Sequence, residues 1–187
     1  GSNAVTLNDG NTFTGDLTLT SAALILGATT VGGALSVTAS GAVTDTGKLG
    51  ITGITTISAS GQTVELNEAT NNFVGEVRIT GGAVTIVDED TLVLGVSTVG
   101  GAYTVTAGGA ITQGAGALDI TGITTITAQN NSNVKQDVTL GTTTNDFGNE
   151  VRIIGAAVTV VDEDELVLGV STVGGAYTVT AGGAITQ

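Results

Sequence analysis

Over much of the chain, apolar residues occupy every second position in short runs. Val77 and Ile79, Val84 and Ile86, Leu92 and Leu94, and Tyr103 and Val105 alternate with Thr, Arg or Val. Successive side chains of a strand point to opposite faces, so this period of two predicts strands that bury one face. Clusters of Gly, Asn, Asp and Ser break the alternation at roughly seven-to-ten-residue intervals and read as turns. Helical spacing is never sustained, and the abundance of Thr, Val and Ile favours extended backbone further. The expectation is an all-β chain.

The alternation is itself repeated. Residues 71–113 and 145–187 are related by an offset of 74 and are identical at 36 of 43 positions. A diverged copy lies nearer the N-terminus: Asn11-Thr12-Phe13-Thr14-Gly15 matches Asn71-Asn72-Phe73-Val74-Gly75, and VGGALSVTASGAVT (31–44) matches VGGAYTVTAGGAIT (99–112). ITGITTISA (51–59) likewise matches ITGITTITA (120–128), and Phe13, Phe73 and Phe147 mark one position of the repeat. The first copy lacks eight residues around the Val-Asp-Glu-Asp segment. The expected repeat units are approximately 1–70 (diverged and shorter), 71–144 and 145–187 (truncated), and the expectation is one continuous segment, residues 1–187, of a longer array.

Near-identical blocks are an odd way to encode a sandwich, whose edge and central strands differ. They suit a solenoid, in which each coil buries its apolar face by stacking on its neighbours. With three strands per coil and roughly 22–26 residues for a coil, 74 residues make about three coils and the chain roughly seven to eight. These coils would be parallel, and the chain a β-solenoid.

The cycle Asn-x-Phe-x-Gly, a V-x-I-x-D strand, L-x-L-G, S-T-V-G-G-A-x-x-V-T-A-G-G-A-I-T-Q and I-T-G-I-T-T-I-x-A resembles the repeat arrays of filamentous-haemagglutinin-like bacterial proteins. The resemblance spans essentially the whole chain. It implies a right-handed parallel β-helix in a large adhesin, secreted across the outer membrane of a Gram-negative bacterium to the cell surface. It also implies roles in adhesion, biofilm or surface filaments.

Composition narrows the chemistry. His, Cys, Met, Trp and Pro are absent, so Ser-His-Asp and Cys-His sites cannot be assembled and zinc loses its usual ligands. The net charge of -13 leaves Lys48, Arg78, Lys135 and Arg152 as the only cations, a poor basis for neutralising phosphates, so no nucleic-acid partner is expected. No apolar run approaches the ~20 residues of a membrane helix. Neither catalytic nor cofactor-binding residues are assigned, and no enzyme is expected.

Some parallel β-helices act on polysaccharides through clustered acids. The dense acids here, Asp88-Glu89-Asp90 and Asp162-Glu163-Asp164-Glu165, recur with the repeat, whereas a catalytic site is normally built once. They read as solvated turns, with Asp88, Asp90, Asp162 and Asp164 as candidate ligands for weakly bound Ca²⁺. Arg78 and Arg152 follow Glu76 and Glu150 by two residues and read as surface ion pairs, or as spots that contact glycan. Tyr103, Tyr177 and the three Phe read as core markers of the repeat. Thr-x-Thr pairs raise ice binding, although Arg78, Arg152, Ser36 and Ser58 interrupt any ladder. The functional expectation is the rod of a secreted adhesin or filament. The alternative is a lateral module that binds surface glycan or a neighbouring filament, and self-association could run end to end or side by side.

Overall fold

The computed structural model describes residues 3–187; residues 1 and 2, with which the first repeat unit opens, lie outside the described residues. The described residues contain 27 strands and no helix. Every pairing between strands is parallel, and every one except Val77↔Leu94 joins strands three places apart along the chain. The chain therefore winds as a β-solenoid with three faces and nine coils.

The first face is a continuous nine-stranded sheet from Val5–Leu7 to Thr172–Val173. The second opens with a four-stranded sheet, Asn11–Phe13 to Asn72–Phe73, and resumes from Leu92–Leu94 to Tyr177–Ala181. The third runs from Leu17–Ser21 to Asp146–Phe147 and closes with the pair Leu166–Val167 and Ile185–Thr186. Nine coils exceed the seven to eight expected because the coils are short. Paired residues on adjacent coils are mostly 17–22 apart in sequence, as in Val77↔Leu94 and Asn72↔Gly50. Many strands have only three residues, and glycine corners turn within a few more.

One coil is longer. Thr124 pairs with Val151 and Ile111 with Val138, offsets of 27, because residues 129–137 leave the coil as a small tab. An antiparallel bridge between Gln129 and Lys135 closes the tab, and Asn133 turns it with φ at 60°. The left-handed region is one that Asn tolerates better than most side chains.

Alternating inward residues form the core. Phe13, Val31, Ile51 and Phe73 make one column of the second face, and Phe147, Ile120 and Val99 make one on the third. Phe73, Phe147 and Tyr103 are among the largest fully buried side chains. Stacking supplies that burial. Leu94, Val99, Tyr103, Val105 and Ala107 are completely covered by the next coil, whereas Leu168, Val173, Tyr177, Val179 and Ala181, their repeat counterparts in the last coil, are only partly buried.

The 74-residue repeat does not contain a whole number of coils. Phe13 and Phe73 are nine strands apart, so both lie on the second face, three coils from one another. Phe73 and Phe147 are ten strands apart, and Phe147 lies on the third face. The extra strand is Val84–Asp88, which the first copy lacks. The repeat thus spans three and one-third coils, where the spacing alone suggested three. Equivalent residues step one face around the axis: Arg78 is on the third face opposite Thr56, and Arg152 is on the first opposite Thr125.

Candidate functional site

The acidic turns follow the two copies of the extra strand, Val84–Asp88 and Val158–Asp162. Each sits where a ladder breaks. Asn72–Phe73 ends the first sheet of the second face, and Leu92–Leu94 three strands on does not pair with it; Leu94 instead pairs with Val77. The Phe73 N–H is left without a carbonyl. Asp88 supplies the acceptor: its Oδ1 lies 2.7 Å from the Phe73 nitrogen, and its Oδ2 accepts from the Asp90 N–H at 3.1 Å. The same device recurs on the third face, where Asp162 Oδ1 accepts from the Phe147 N–H at 2.9 Å. Glu89 and Glu163 donate their backbone N–H to the carbonyls of Asn71 and Asn145, both at 2.7 Å.

The first residue of each turn is therefore not solvated. Asp88 and Asp162 are each only 2% exposed, while Glu89, Asp90, Glu163, Asp164 and Glu165 are half-buried or exposed. Burial pushes the Asp88 carboxyl up to about 6, partly opposed by the N–H groups of Phe73 and Asp90. Asp162 is raised for the same leading reason, and Asp164 and Asp146 add to it.

The two turns differ in their surroundings. Lys48 reaches from two coils away to Glu89 at 2.6 Å, and Asn72 donates to Glu89 at 3.3 Å and to Asp90 at 3.1 Å. The Lys48 hydrogen bond, followed by that of Asn72, holds Glu89 below the usual carboxylate range. In the next copy Ala117 stands at the Lys48 position, and Asp146 replaces Asn72. Asp119 pairs directly with Asp146, and burial with the nearby charges of Asp164 and Asp119 raises Asp146. Even so, among the described residues no three acidic side chains converge as a metal-holding group. Asp88 and Asp162 direct their carboxylates at backbone N–H groups instead.

A buried polar corner beside each turn was not read from the sequence. Asn71 accepts from the Leu49 N–H at 2.7 Å and donates to Asp45 Oδ2 at 2.6 Å. Asn145 accepts from the Leu118 N–H at 2.9 Å and donates to Gln113 Oε1 at 3.0 Å. Asn71 and Asn145 are fully buried. Their signal was the Asn two residues before each Phe, which reads equally well as a turn residue. Thr55 and Thr124, the first Thr of each Ile-Thr-Thr-Ile, are buried too, with hydroxyls that find no partner.

The remaining marked residues fall on the lateral faces or in the core. Glu76 holds Arg78 at 2.9 Å, and Glu150 holds Arg152 at 2.7 Å. A side chain at Gly95 or Gly169 would strike the glutamate of the respective pair, so these pairs lie flat against the next coil. Tyr103 is completely buried; its hydroxyl lies near Ser97 without a hydrogen bond of good geometry, and burial raises its pKa. On the first face the outward column Thr85, Thr104, Thr125 ends in Arg152 and is preceded by Glu65, and on the second face Thr112, Thr139, Thr159 and Thr178 stack in register, so these threonine ladders are three and four residues long. A shallow depression of about 280 Å³ lies on the second face between Thr30, Lys48, Gly50, Asn72 and Val74. Among the described residues no helix is long and apolar enough to cross a membrane.

Residues 14–80, 81–154 and 155–187 each match one family, described as repeats of unknown function (DUF5649), and the chain belongs to that family. Neither a curated protein nor a solved structure matches the chain.

Proposed function

We propose that the chain is a length of rod: a structural repeat segment of a large secreted surface adhesin or extracellular filament of a Gram-negative bacterium. The observation that carries this reading is the continuous first-face ladder through all nine coils, over a core in which each coil covers the one before it. Such a shaft resists bending because deformation must break parallel backbone ladders and part a close-packed aliphatic core. Repeating the unit lengthens the shaft without demanding a new fold. In this reading the segment performs no catalysis, holds no cofactor, inserts into no membrane and binds no nucleic acid. Its acidity keeps neighbouring rods apart.

The test is the shape of a tandem array of the 74-residue repeat in solution. Ten strands per repeat and ~4.8 Å between paired strands give about 16 Å of added length per repeat by small-angle scattering. An array that compacts as repeats are added overturns the rod.

A second reading, lateral binding of surface glycan or of a neighbouring filament, draws on the depression beside Lys48, where a cation and the Asn72 amide line a groove. Glycan-array binding by this chain that Lys48→Ala abolishes would favour it.

A further inference from the structure

We infer that residues 82–89 are a phase element, which fixes the direction around the rod in which each repeat presents its side chains. Removing these eight residues brings the second copy into register with the first as far as Gln113, which then stands opposite Asp45: Gly81 precedes Asp90-Thr91-Leu92, as Ser21 precedes Ala22-Ala23-Leu24. They supply one strand and its turn. Without that strand a repeat is nine strands, three whole coils, and successive copies present the same face, as Phe13 and Phe73 do. With it a repeat is ten strands, and successive copies turn by one face, as Phe73 and Phe147 do.

The sequence carries an independent mark of this exchange. In the first copy the strand Leu35–Ala39 stacks on Leu17–Ser21, and Ser40 follows it. In the later copies the equivalent strands, Tyr103–Ala107 and Tyr177–Ala181, stack on the added strands Val84–Asp88 and Val158–Asp162. There the position of Ser40 is held by Gly108 and Gly182. A Cβ at either would overlap the carbonyl oxygen of Glu89 or Glu163 in the acidic turn beneath. The copies that gained the strand have the glycine its turn requires.

The consequence concerns partners. In an array of 74-residue repeats each lateral feature returns to the same face after three repeats, ten coils, or about 48 Å. A flat partner lying along one side, such as a surface lattice or a second rod, therefore meets equivalent groups at ~48 Å intervals, while three such partners could be engaged at once around the axis. This extension beyond the described coils rests on the rod reading; the phase step is testable in this chain alone.

Thr18, Arg78 and Arg152 are equivalent positions on the outward surface. Spin labels at Thr18→Cys and Arg78→Cys are expected three coils apart on one face, with backbones about 14 Å apart. Labels at Arg78→Cys and Arg152→Cys are expected on different faces and clearly farther apart. Deleting residues 82–89 should shorten the second distance to that of the first. An unchanged distance in the folded deletion variant overturns the inference, and equal distances for the two pairs in the undeleted chain overturn it even where the deletion fails to fold. An array with a 120° step that nonetheless compacts would retain the phase element and discard the rod.

Discussion

The block from Phe13 to Phe73 and the block from Phe73 to Phe147 use nearly the same strands yet differ in direction. The first closes three whole coils and returns its Phe to the second face; the second overshoots by one strand and delivers its Phe to the third. The cause is one added strand whose turn must also repair the ladder it breaks. Asp88 and Asp162 make that repair, which is why they are buried although they stand in the most acidic stretches of the chain. A β-solenoid thus tolerates a fractional repeat because each strand needs a parallel neighbour beneath it and is indifferent to which copy supplies it.

The largest effect should come from the Phe columns. Phe73→Ala and Phe147→Ala are each expected to cost about 3–5 kcal/mol by denaturant titration, since both are buried on every side. Phe13→Ala should cost clearly less, because Phe13 lies in the first coil and is only partly buried. Equal costs would mean that the stacking of coils is not what buries these rings.

The Asp88 repair makes a prediction about pH. Its native pKa of about 6 lies above the ordinary 3.8, so the folded state holds this proton more tightly than the unfolded state does. The associated stability is fully present below about pH 3.8 and is lost as pH rises through about 6, a span worth about 3 kcal/mol. Asp88→Asn keeps an acceptor for the Phe73 N–H without the charge. Its stability relative to the parent chain should therefore be greater at pH 7 than at pH 4, and a constant difference between the two would refute the assignment.

Gly108→Ser introduces the first-copy residue above an acidic turn that the first copy does not have. Overpacking against backbone should cost about 1–3 kcal/mol, and the reverse exchange, Ser40→Gly, should cost less. The smallest effect is expected from Arg78→Ala. It breaks a surface ion pair, so thermal unfolding should barely change, and the change should be smaller still in high salt.

The parallel solenoid was legible in the sequence because its signals are local and repeated. Period-two alternation at Val77, Ile79, Val84 and Ile86 predicts strands, and the near-identity of 71–113 and 145–187 excludes a sandwich built from unlike strands. The Glu76–Arg78 and Glu150–Arg152 pairs were legible for the same reason, being two residues apart on one short stretch. The burial of Asp88 was not. In sequence it stands among acids and reads as solvent-exposed, and only the broken ladder 15 residues earlier, at Phe73, requires a buried acceptor there. Asn71 is similar: its partners Leu49 and Asp45 are 22 and 26 residues away.

By itself, then, the sequence determined what each coil is made of: which residues face inward, where the turns fall, and that copies stack on copies. Tertiary structure decided how many residues close a coil, and so the face on which each repeat lands. That division has a physical reason. Burial preference is written into every second residue, but angular phase is a sum over strands and corners, so one added strand is invisible locally and still turns everything after it by a third of a circle.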